Sequence, residues 1–409
     1  MRILLSDGSG LTARQTATLL SRAGHHVGVL SPDPRCICRF TRHVRRVHPV
    51  PAYGHDPFGW LDAALEIAGD TAAELLFPTQ DQVAVISLAQ RRIRDAGLLT
   101  AVPGFAALAQ VQDKISSRAT LARAGLPQPP GQVVTSRAEL EALDFLPAFV
   151  KLPVGTASTG VCRVSTPAEL RELAARYEGD GVFAAGGVLA QHPAAGPLVM
   201  VQSVFARGEL VAVHCCQRVR EGASGGASHK RGLALPEVSD YVRALGRALD
   251  WHGALSADVI LGSHGPVFID INPRLVEPVN AFRSGVDLPG ALVEVARCGT
   301  ASPQPPGRPG VRTHQLVLAV LGAAQHGGTR RAVAAELARA LTRRGEYRGS
   351  AEELTPSRGD PVTLGPPALA VAATLCWPPA GRRLTSGGVG AYALTPAAWQ
   401  LITDQARSS

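Results

Sequence analysis

The first thirty residues constrain the fold most. Arg2-Ile3-Leu4-Leu5-Ser6 is an apolar run, Asp7-Gly8-Ser9-Gly10 a turn, and Thr12 to Ala23 a helical stretch that carries Leu19 and Leu20 on its inner face. Gly24 suits the helix end, and Val27 to Leu30 is a second apolar run. Strand, turn, helix and strand in this order read as a β-turn-α-β unit. A further strand, Leu75-Leu76-Phe77-Pro78-Thr79, precedes Gln80-Asp81 and a helical pattern over Val83 to Ala96. Residues 1–105 are therefore expected to form a small parallel α/β layer.

The pattern changes at Val111. A helix over Ile115 to Ala124 ends at Gly125-Leu126-Pro127, short strands follow at Val133-Val134, Ala148 to Lys151 and Val161 to Val164, and a helix covers Pro167 to Tyr177. This makes 106–187 an α+β lobe. Residues 188–300 add strands at Val199 to Phe205, Leu210 to Cys216, Asp258 to Leu261 and Val267 to Asn272, with a helix over Asp240 to Leu249. The segment 301–310 carries four prolines and reads as a linker. Residues 311–409 form a C-terminal unit, helical over Thr313 to Arg344 and strand-like over Leu369 to Trp377.

Composition excludes several classes. With 409 residues, 45% hydrophobic and 18% charged, the chain can bury ordinary cores and is not a disordered polymer. Mean hydropathy is +0.09, no apolar run approaches about 18 residues, and Asp7 interrupts the start too early for a secretory leader. A cytoplasmic protein without a membrane partner is expected. Seven scattered cysteines suggest free thiols. The net charge of +8 does not imply nucleic acid, because the basic residues are dispersed and aromatics are only 5%. Small anionic substrates fit that charge as well.

One count is more informative than the total: the chain has 38 arginines and three lysines, Lys114, Lys151 and Lys230. A chain that uses Arg wherever a cation suffices keeps Lys where a compact ammonium is needed. Lys151 ends an apolar strand and is followed by Pro153-Val154-Gly155-Thr156-Ala157-Ser158-Thr159-Gly160, a hairpin whose N–H and O–H donors can cover the anion that the lysine meets. Lys114 follows Asp113 at a helix start. By contrast, Asp7-Gly8-Ser9-Gly10 lacks a dinucleotide fingerprint and reads as a tight turn. Cys36-x-Cys38 with His43 and His48 matches no standard zinc spacing.

The stretch Val267-Phe268-Ile269-Asp270-Ile271-Asn272-Pro273-Arg274 places an acid and an amide on one face of an apolar strand. With Asp258 from the adjacent strand they offer hard oxygens to Mg²⁺, and Arg274 follows the same face, able to grip an anionic intermediate. Arg218 and Arg220 are expected to share a strand face with Cys216, two cations suited to an acid or phosphate. Cys215 and Cys216 are expected in the core.

Taken together, Asp113-Lys114 with Leu121 to Pro129, Val150-Lys151-Leu152-Pro153 with its Gly-rich loop, and Asp258 with Asp270 to Arg274 resemble the ATP-grasp superfamily. The resemblance covers residues 1–300 and looks nearest to its carbamoyl-phosphate-synthase-like carboxylate–amine ligases. It implies a pre-ATP-grasp α/β domain (1–105) and a two-lobed ATP-grasp domain, its small lobe 106–187 and its large lobe 188–300. An α+β extension would follow. Lys114 and Lys151 would contact ATP phosphates, and Gly155, Ser158, Thr159 and Gly160 would close over them. Gln191 and His192 would match the adenine hinge, and Gln202 a position near the ribose. Asp258, Asp270 and Asn272 would match ligands of Mg²⁺ or Mn²⁺, and Arg274 the arginine near the reacting phosphoryl group. Asp270 stands where Glu is common, which shortens its reach, and Gln191-His192 replaces the commoner Glu-Tyr.

The implied activity is ATP-dependent joining of a small carboxylate to an amine through an acyl phosphate, with Arg218 and Lys230 on the acceptor side. A bicarbonate-using carboxylase and a non-catalytic nucleotide binder are the alternatives. The C-terminal unit is expected either to cover the substrate or to form a homodimer contact.

Overall fold

The computed structural model describes residues 1–156, 160–355, 359–381, 384 and 389–408. The N-terminal layer contains β1 (Arg2–Leu5), α1 (Leu11–Arg22), β2 (His26–Ser31), β3 (Arg46–Pro49), α2 (Pro57–Asp70), β4 (Leu75–Phe77), α3 (Val83–Leu88) and α4 (Gln90–Asp95). Its four strands are parallel in the order β3-β2-β1-β4. Both faces of this sheet are apolar and covered by helices, as parallel sheets require. The helical pattern expected over Val83 to Ala96 is two helices, broken at Ala89 where the backbone leaves helical geometry (φ −95°, ψ 19°).

The small lobe follows, with α5 (Phe105–Gln112), α6 (Lys114–Arg123), β5 (Gly131–Val134), α7 (Arg137–Glu141), β6 (Ala148–Lys151), β7 (Val161–Val164), α8 (Pro167–Gly179) and β8 (Val188–Gln191). Its antiparallel sheet has the order β5-β8-β6-β7. Asp113 caps α6 by accepting from the amides of Ile115 and Ser116, which fixes where Lys114 starts its helix. Thr166 caps α8 by accepting from Glu169, whose carboxylate accepts from Ser165 in turn.

In the large lobe, β9 (Leu198–Ala206), β10 (Glu209–Glu221), β11 (Ala227–Leu233), α9 (Pro236–Ala248), β12 (Gly253–Gly262) and β13 (Gly265–Asn272) lead to α10 (Val279–Arg283) and α11 (Leu288–Cys298). The remaining elements are β14 (Arg312–His314), α12 (Leu316–Gly327), α13 (Arg330–Leu341), β15 (Ser350–Glu352), α14 (Gly365–Cys376) and α15 (Pro396–Ser408). One seven-stranded sheet runs β13-β12-β9-β10-β11-β14-β15. The C-terminal part therefore does not stand apart, since it lends two strands to the large lobe.

The strand expected over Leu369 to Trp377 is instead helix α14. Pro366 and Pro367 sit in its first turn, where a missing N–H costs nothing, and the Ala- and Leu-rich sequence that follows has high helix propensity. Further on the chain returns to the N-terminal layer. Leu394, Ala398 and Ile402 join the core formed by Trp60, Val83 and Ile86, and Trp399 packs 5.8 Å from Phe105.

Candidate active site

The register of the large sheet gathers the candidate residues on one face. Asp258 on β12 lies directly opposite Asp270 on β13, and Ser256 opposite Asn272. On β9, Met200 and Gln202 face those same β12 positions, and His214 and Cys216 on β10 continue the rows. Arg218 pairs with Lys230 on β11, which pairs with Thr313 on β14. Because directly opposed residues point to the same side, Asp270, Asn272, Asp258, Gln202, Arg218 and Lys230 share one face. The other face is apolar: Val199, Val201, Leu255, Ala257 and Ile271 pack under Val238, Val242 and Leu245 of α9.

A β-bulge sits in the centre of this site. Asp258 opposes Asp270 but Val259 opposes Phe268, so Ile269 is the extra residue. The Ile269 carbonyl accepts from Lys151 Nζ at 2.7 Å, which ties the end of β6 in the small lobe to the large lobe. Lys151 is buried, and burial pulls its pKa below the usual value while Asp270 and Asp258 oppose that loss and Lys114 adds to it. Lys114 Nζ donates to the Gly155 carbonyl at 3.3 Å, and its amide to the Pro153 carbonyl at 2.9 Å. The structure thus brings both lysines to the root of the Gly-rich loop and to the edge of the acidic pair.

Removal from water raises the Asp258 carboxyl to about 7, and the facing Asp270 charge adds to the rise; Arg274, Arg218 and Lys151 act in the opposite direction. Two opposed carboxylates with an amide two residues on form a hard-oxygen set. Among the described residues no group of three or more His, Cys, Asp or Glu is placed to hold a metal ion. The set therefore fits a cation that takes the rest of its ligands from phosphate and water, as Mg²⁺ does.

Arg274 is buried and turns toward the N-terminal layer, its Nε 3.1 Å from Asp81 Oδ1. Asp81 also accepts from Thr156 Oγ1 of the Gly-rich loop and, at 3.1 Å, from the Leu394 amide. Four parts of the chain thus meet at one carboxylate. The position of Asp81, just beyond the end of β4, is the only sequence signal it carries.

Arg218 and Arg220 do not share a face. Val219 is bulged, so Arg218 opposes Lys230 while Arg220 opposes His229, and adjacent residues on β11 point to opposite sides. Arg220 pairs with Glu336 and Glu346 of the C-terminal part. Arg218 stays on the site face and donates to the Gly225 carbonyl at 2.7 Å. Lys230 is enclosed by Glu277 and Glu353; burial works against its charge, and the two carboxylates outweigh it and raise its pKa. Gln15 and Gln315 bond the same Glu353 oxygen. Glu277 and Glu353 carry no motif that sequence could expose.

Gln191 is buried at the end of β8, and the His192 ring stacks on Phe145 with centroids 3.8 Å apart. The His192 amide bonds the Pro130 carbonyl. Gln202 is buried with Oε1 unpartnered, and its Nε2 lies 3.5 Å from the Glu277 carbonyl. Gly160 closes the loop at φ +79°, and a Cβ there would meet Leu152 at 3.0 Å. Ser158 and Thr159 lie outside the described residues. All seven cysteines are free thiols; Cys215 and Cys216 are buried, as expected.

No protein-family model and no curated protein sequence matches the chain. Solved structures do. The biotin carboxylase domain of Hydrogenobacter thermophilus 2-oxoglutarate carboxylase, solved with MgADP, ADP and bicarbonate, superposes with a TM-score of 0.61 at 16% identity over 76% of this chain and 73% of that one. N5-carboxyaminoimidazole ribonucleotide synthetase from Thermus thermophilus gives 0.56 at 18% identity over 76% and 81%. L-amino acid ligase from Bacillus licheniformis gives 0.55 at 16% identity over 72% and 74%. With its parallel N-terminal layer, its antiparallel small-lobe sheet, its large sheet antiparallel except for the β14–β15 pair, and this likeness, the chain has the ATP-grasp fold.

Proposed function

We propose that this chain is an ATP-dependent ligase that joins a small-molecule carboxylate to an amine through an acyl phosphate, releasing ADP and phosphate. The observation that carries the choice of amine is the charge balance on the acceptor side of the cleft. Asp7, Asp81, Glu277 and Glu353 stand there against Arg274, Lys230 and Arg218, and all three cations are already paired, Arg218 with Glu221. Such a surface favours a cationic amine over bicarbonate.

In this reading the carboxylate oxygen attacks the γ-phosphorus as the bond to ADP breaks. The bound ammonium gives up a proton to water, the freed amine nitrogen attacks the acyl carbon, and a second proton leaves as phosphate is expelled. Lys114 and Lys151 hold phosphate oxygens, and Gly155 to Gly160, with Ser158 and Thr159, cover them. Gln191 and His192 line the adenine end, and Gln202 the ribose. Asp258, Asp270 and Asn272 would hold Mg²⁺ or Mn²⁺, which when bound neutralises charge on the β- and γ-oxygens. Arg274 steadies the transferred phosphoryl group, Arg218 adds positive charge beside Asp258, and Lys230 acts as a positioning residue by fixing Glu277.

The test is nucleotide release with pooled amino acids, other amines and carboxylic acids, with products read by mass spectrometry. The expected result is ADP and a condensation product only when acid and amine are both present. AMP as product, ADP release driven by bicarbonate alone, or tight ATP binding without turnover would overturn the assignment.

A further inference from the structure

A cavity of about 520 Å³ lies between α1, α10, β14 and β15, at the edge of the large sheet. That size falls within the roughly 300–1,000 Å³ usual for small-molecule sites. None of the residues proposed for the nucleotide or the metal lines it. Three arginines reach it from separate elements: Arg22 ends α1, Arg283 ends α10 and Arg312 starts β14. All three are exposed, and none of their guanidinium groups has a hydrogen bond or ion pair with another described residue. A cation in the last turn suits the helix dipole, which accounts for Arg22 and Arg283 one at a time. It does not account for Arg312, nor for three like charges around one hollow, which repel one another until an anion joins them.

The acids lining the same cavity do not balance these charges. Glu353 is taken by Lys230 at 2.7 Å. Glu352 spends Oε1 on the Leu354 and Thr355 amides and Oε2 on the Leu316 amide, at 3.0 to 3.2 Å, and burial raises its carboxyl pKa. The His314 ring, 3.4 Å from Glu352, adds no charge at neutral pH, because burial pulls its pKa down to about 4. The remaining lining suits an organic body better than a bare ion. Phe282 is 45% exposed there, and Leu19 and Val279 add apolar surface. Gly310 and Gly349 hold left-handed backbone at φ +81° and +68°, and a Cβ at either would meet nothing within 4 Å, so that part of the wall is free of side-chain bulk.

The cavity also shares a wall with the acceptor side of the cleft. Glu353 lines it and holds Lys230, which in turn pairs with Glu277. Val279 lines it too; its amide donates to Gln15 Oε1, and Gln15 Nε2 donates to Glu353. We infer that this cavity is an effector site for a small organic anion bearing two or more carboxylate or phosphate groups, held by Arg22, Arg283 and Arg312 with its carbon frame on Phe282, and felt at Lys230 through Glu353. Arginine forks take carboxylate and phosphate oxygens in the same paired way, so both chemistries meet one requirement. The binding site stands apart from the ligase reading, and only the effector role rests on it.

The experiment is calorimetric titration of the full chain with its nucleotide cleft filled by Mg²⁺ and adenylyl-imidodiphosphate, so that anions do not report on Lys114 and Lys151. The probes are propane-1,2,3-tricarboxylate, benzene-1,3,5-tricarboxylate, 3-phosphoglycerate and fructose 1,6-bisphosphate, with inorganic phosphate as the bare-ion comparison. One-to-one binding of at least one probe, at least tenfold tighter than inorganic phosphate, is expected, and the carboxylate and phosphate arms tell the two sources apart. Arg22→Ser, Arg283→Ser and Arg312→Ser should each weaken it at least fivefold, while Arg171→Ser, at an exposed position of α8, should leave it unchanged. The bound probe should change the rate of ADP release at least twofold in wild type and not in the triple arginine variant, whose basal rate is unaltered. No binding by any probe, equal binding by inorganic phosphate, or wild-type affinity in the triple variant would overturn the site. So would a dimer in sedimentation that the triple variant dissolves, since the arginines would then face a second copy of the chain. Binding that leaves ADP release unchanged sinks the effector role and keeps the site. If no acid and amine pair yields ADP, the ligase reading fails while the titration still decides the site.

Discussion

Arg274 and Asp81 are 193 residues apart in sequence and 3.1 Å apart in space, and their bond joins the end of β13 to the N-terminal layer. Asp81→Ala should therefore cost about 3–5 kcal/mol, because it leaves a buried guanidinium without its carboxylate. Asp81→Asn keeps the shape and should cost less, yet lower kcat for ADP release about 10- to 100-fold with a smaller change in the KM for MgATP. Urea denaturation and steady-state kinetics of the two variants measure this. Equal kcat in wild type and Asp81→Asn would show that Arg274 needs no such support.

In the proposed metal site, Asp270→Asn removes a negative oxygen and Asn272→Ala a neutral one. Both should reduce Mg²⁺-dependent ADP production by orders of magnitude while melting temperature changes little. If the two residues only finish a strand, each change should move stability by about 1 kcal/mol and leave turnover intact. A Mg²⁺ titration of ADP release, run beside thermal melts, separates these outcomes.

Lys230→Met leaves Glu277 and Glu353 facing each other without their cation, at a cost of about 3–5 kcal/mol. Adding Glu277→Gln to that background should return part of the loss. Chemical denaturation of the single and double variants gives the coupling, and additive effects would show that the pair is not an energetic unit.

The Asp7 carboxyl is raised by burial to about 6 in the folded protein, against an ordinary 3.8, with the Ser9 and Gly10 amides acting the other way. The native state then holds more protons than the unfolded chain between about pH 4 and 6, so this group's contribution falls as pH rises through that window and is lost above it. The ionisable groups facing it, the Cys36 and Cys38 thiols and the Tyr392 phenol, are all kept neutral by burial. Asp7→Asn should flatten the decline, and the difference in unfolding free energy between wild type and variant should change by about 3 kcal/mol at most from pH 4 to 7. A pH-independent difference would place Asp7 in water.

The residues proposed for the nucleotide can be picked out in the sequence because they are local. Lys151 and its loop are contiguous, Asp270 to Arg274 lie on one strand, and period-two alternation predicts their common face. The scarcity of lysine marks the same positions independently. Asp81, Glu277, Glu353 and Tyr392 are invisible to such reading because each gains meaning from partners far along the chain; Lys230 and Glu353, for example, are 123 residues apart. Arg218 and Arg220 show the other limit. Strict alternation puts them together, and one bulged residue, with no sequence mark of its own, sends them to opposite sides. The helix at Gly365–Cys376 reads as a strand because a short apolar run bounded by prolines suits either a strand or a buried helix.

The bond from the Leu394 amide to Asp81 spans 313 residues. On a ribosome adding about 5–20 residues per second, some 15 to 60 s separate the synthesis of the two partners. Through that interval the N-terminal layer and both lobes can reach their own cores, while Asp81 still lacks the Leu394 amide. The carboxylate that already holds Arg274 and Thr156 thus gains the Leu394 amide only when helix α15 docks on α3.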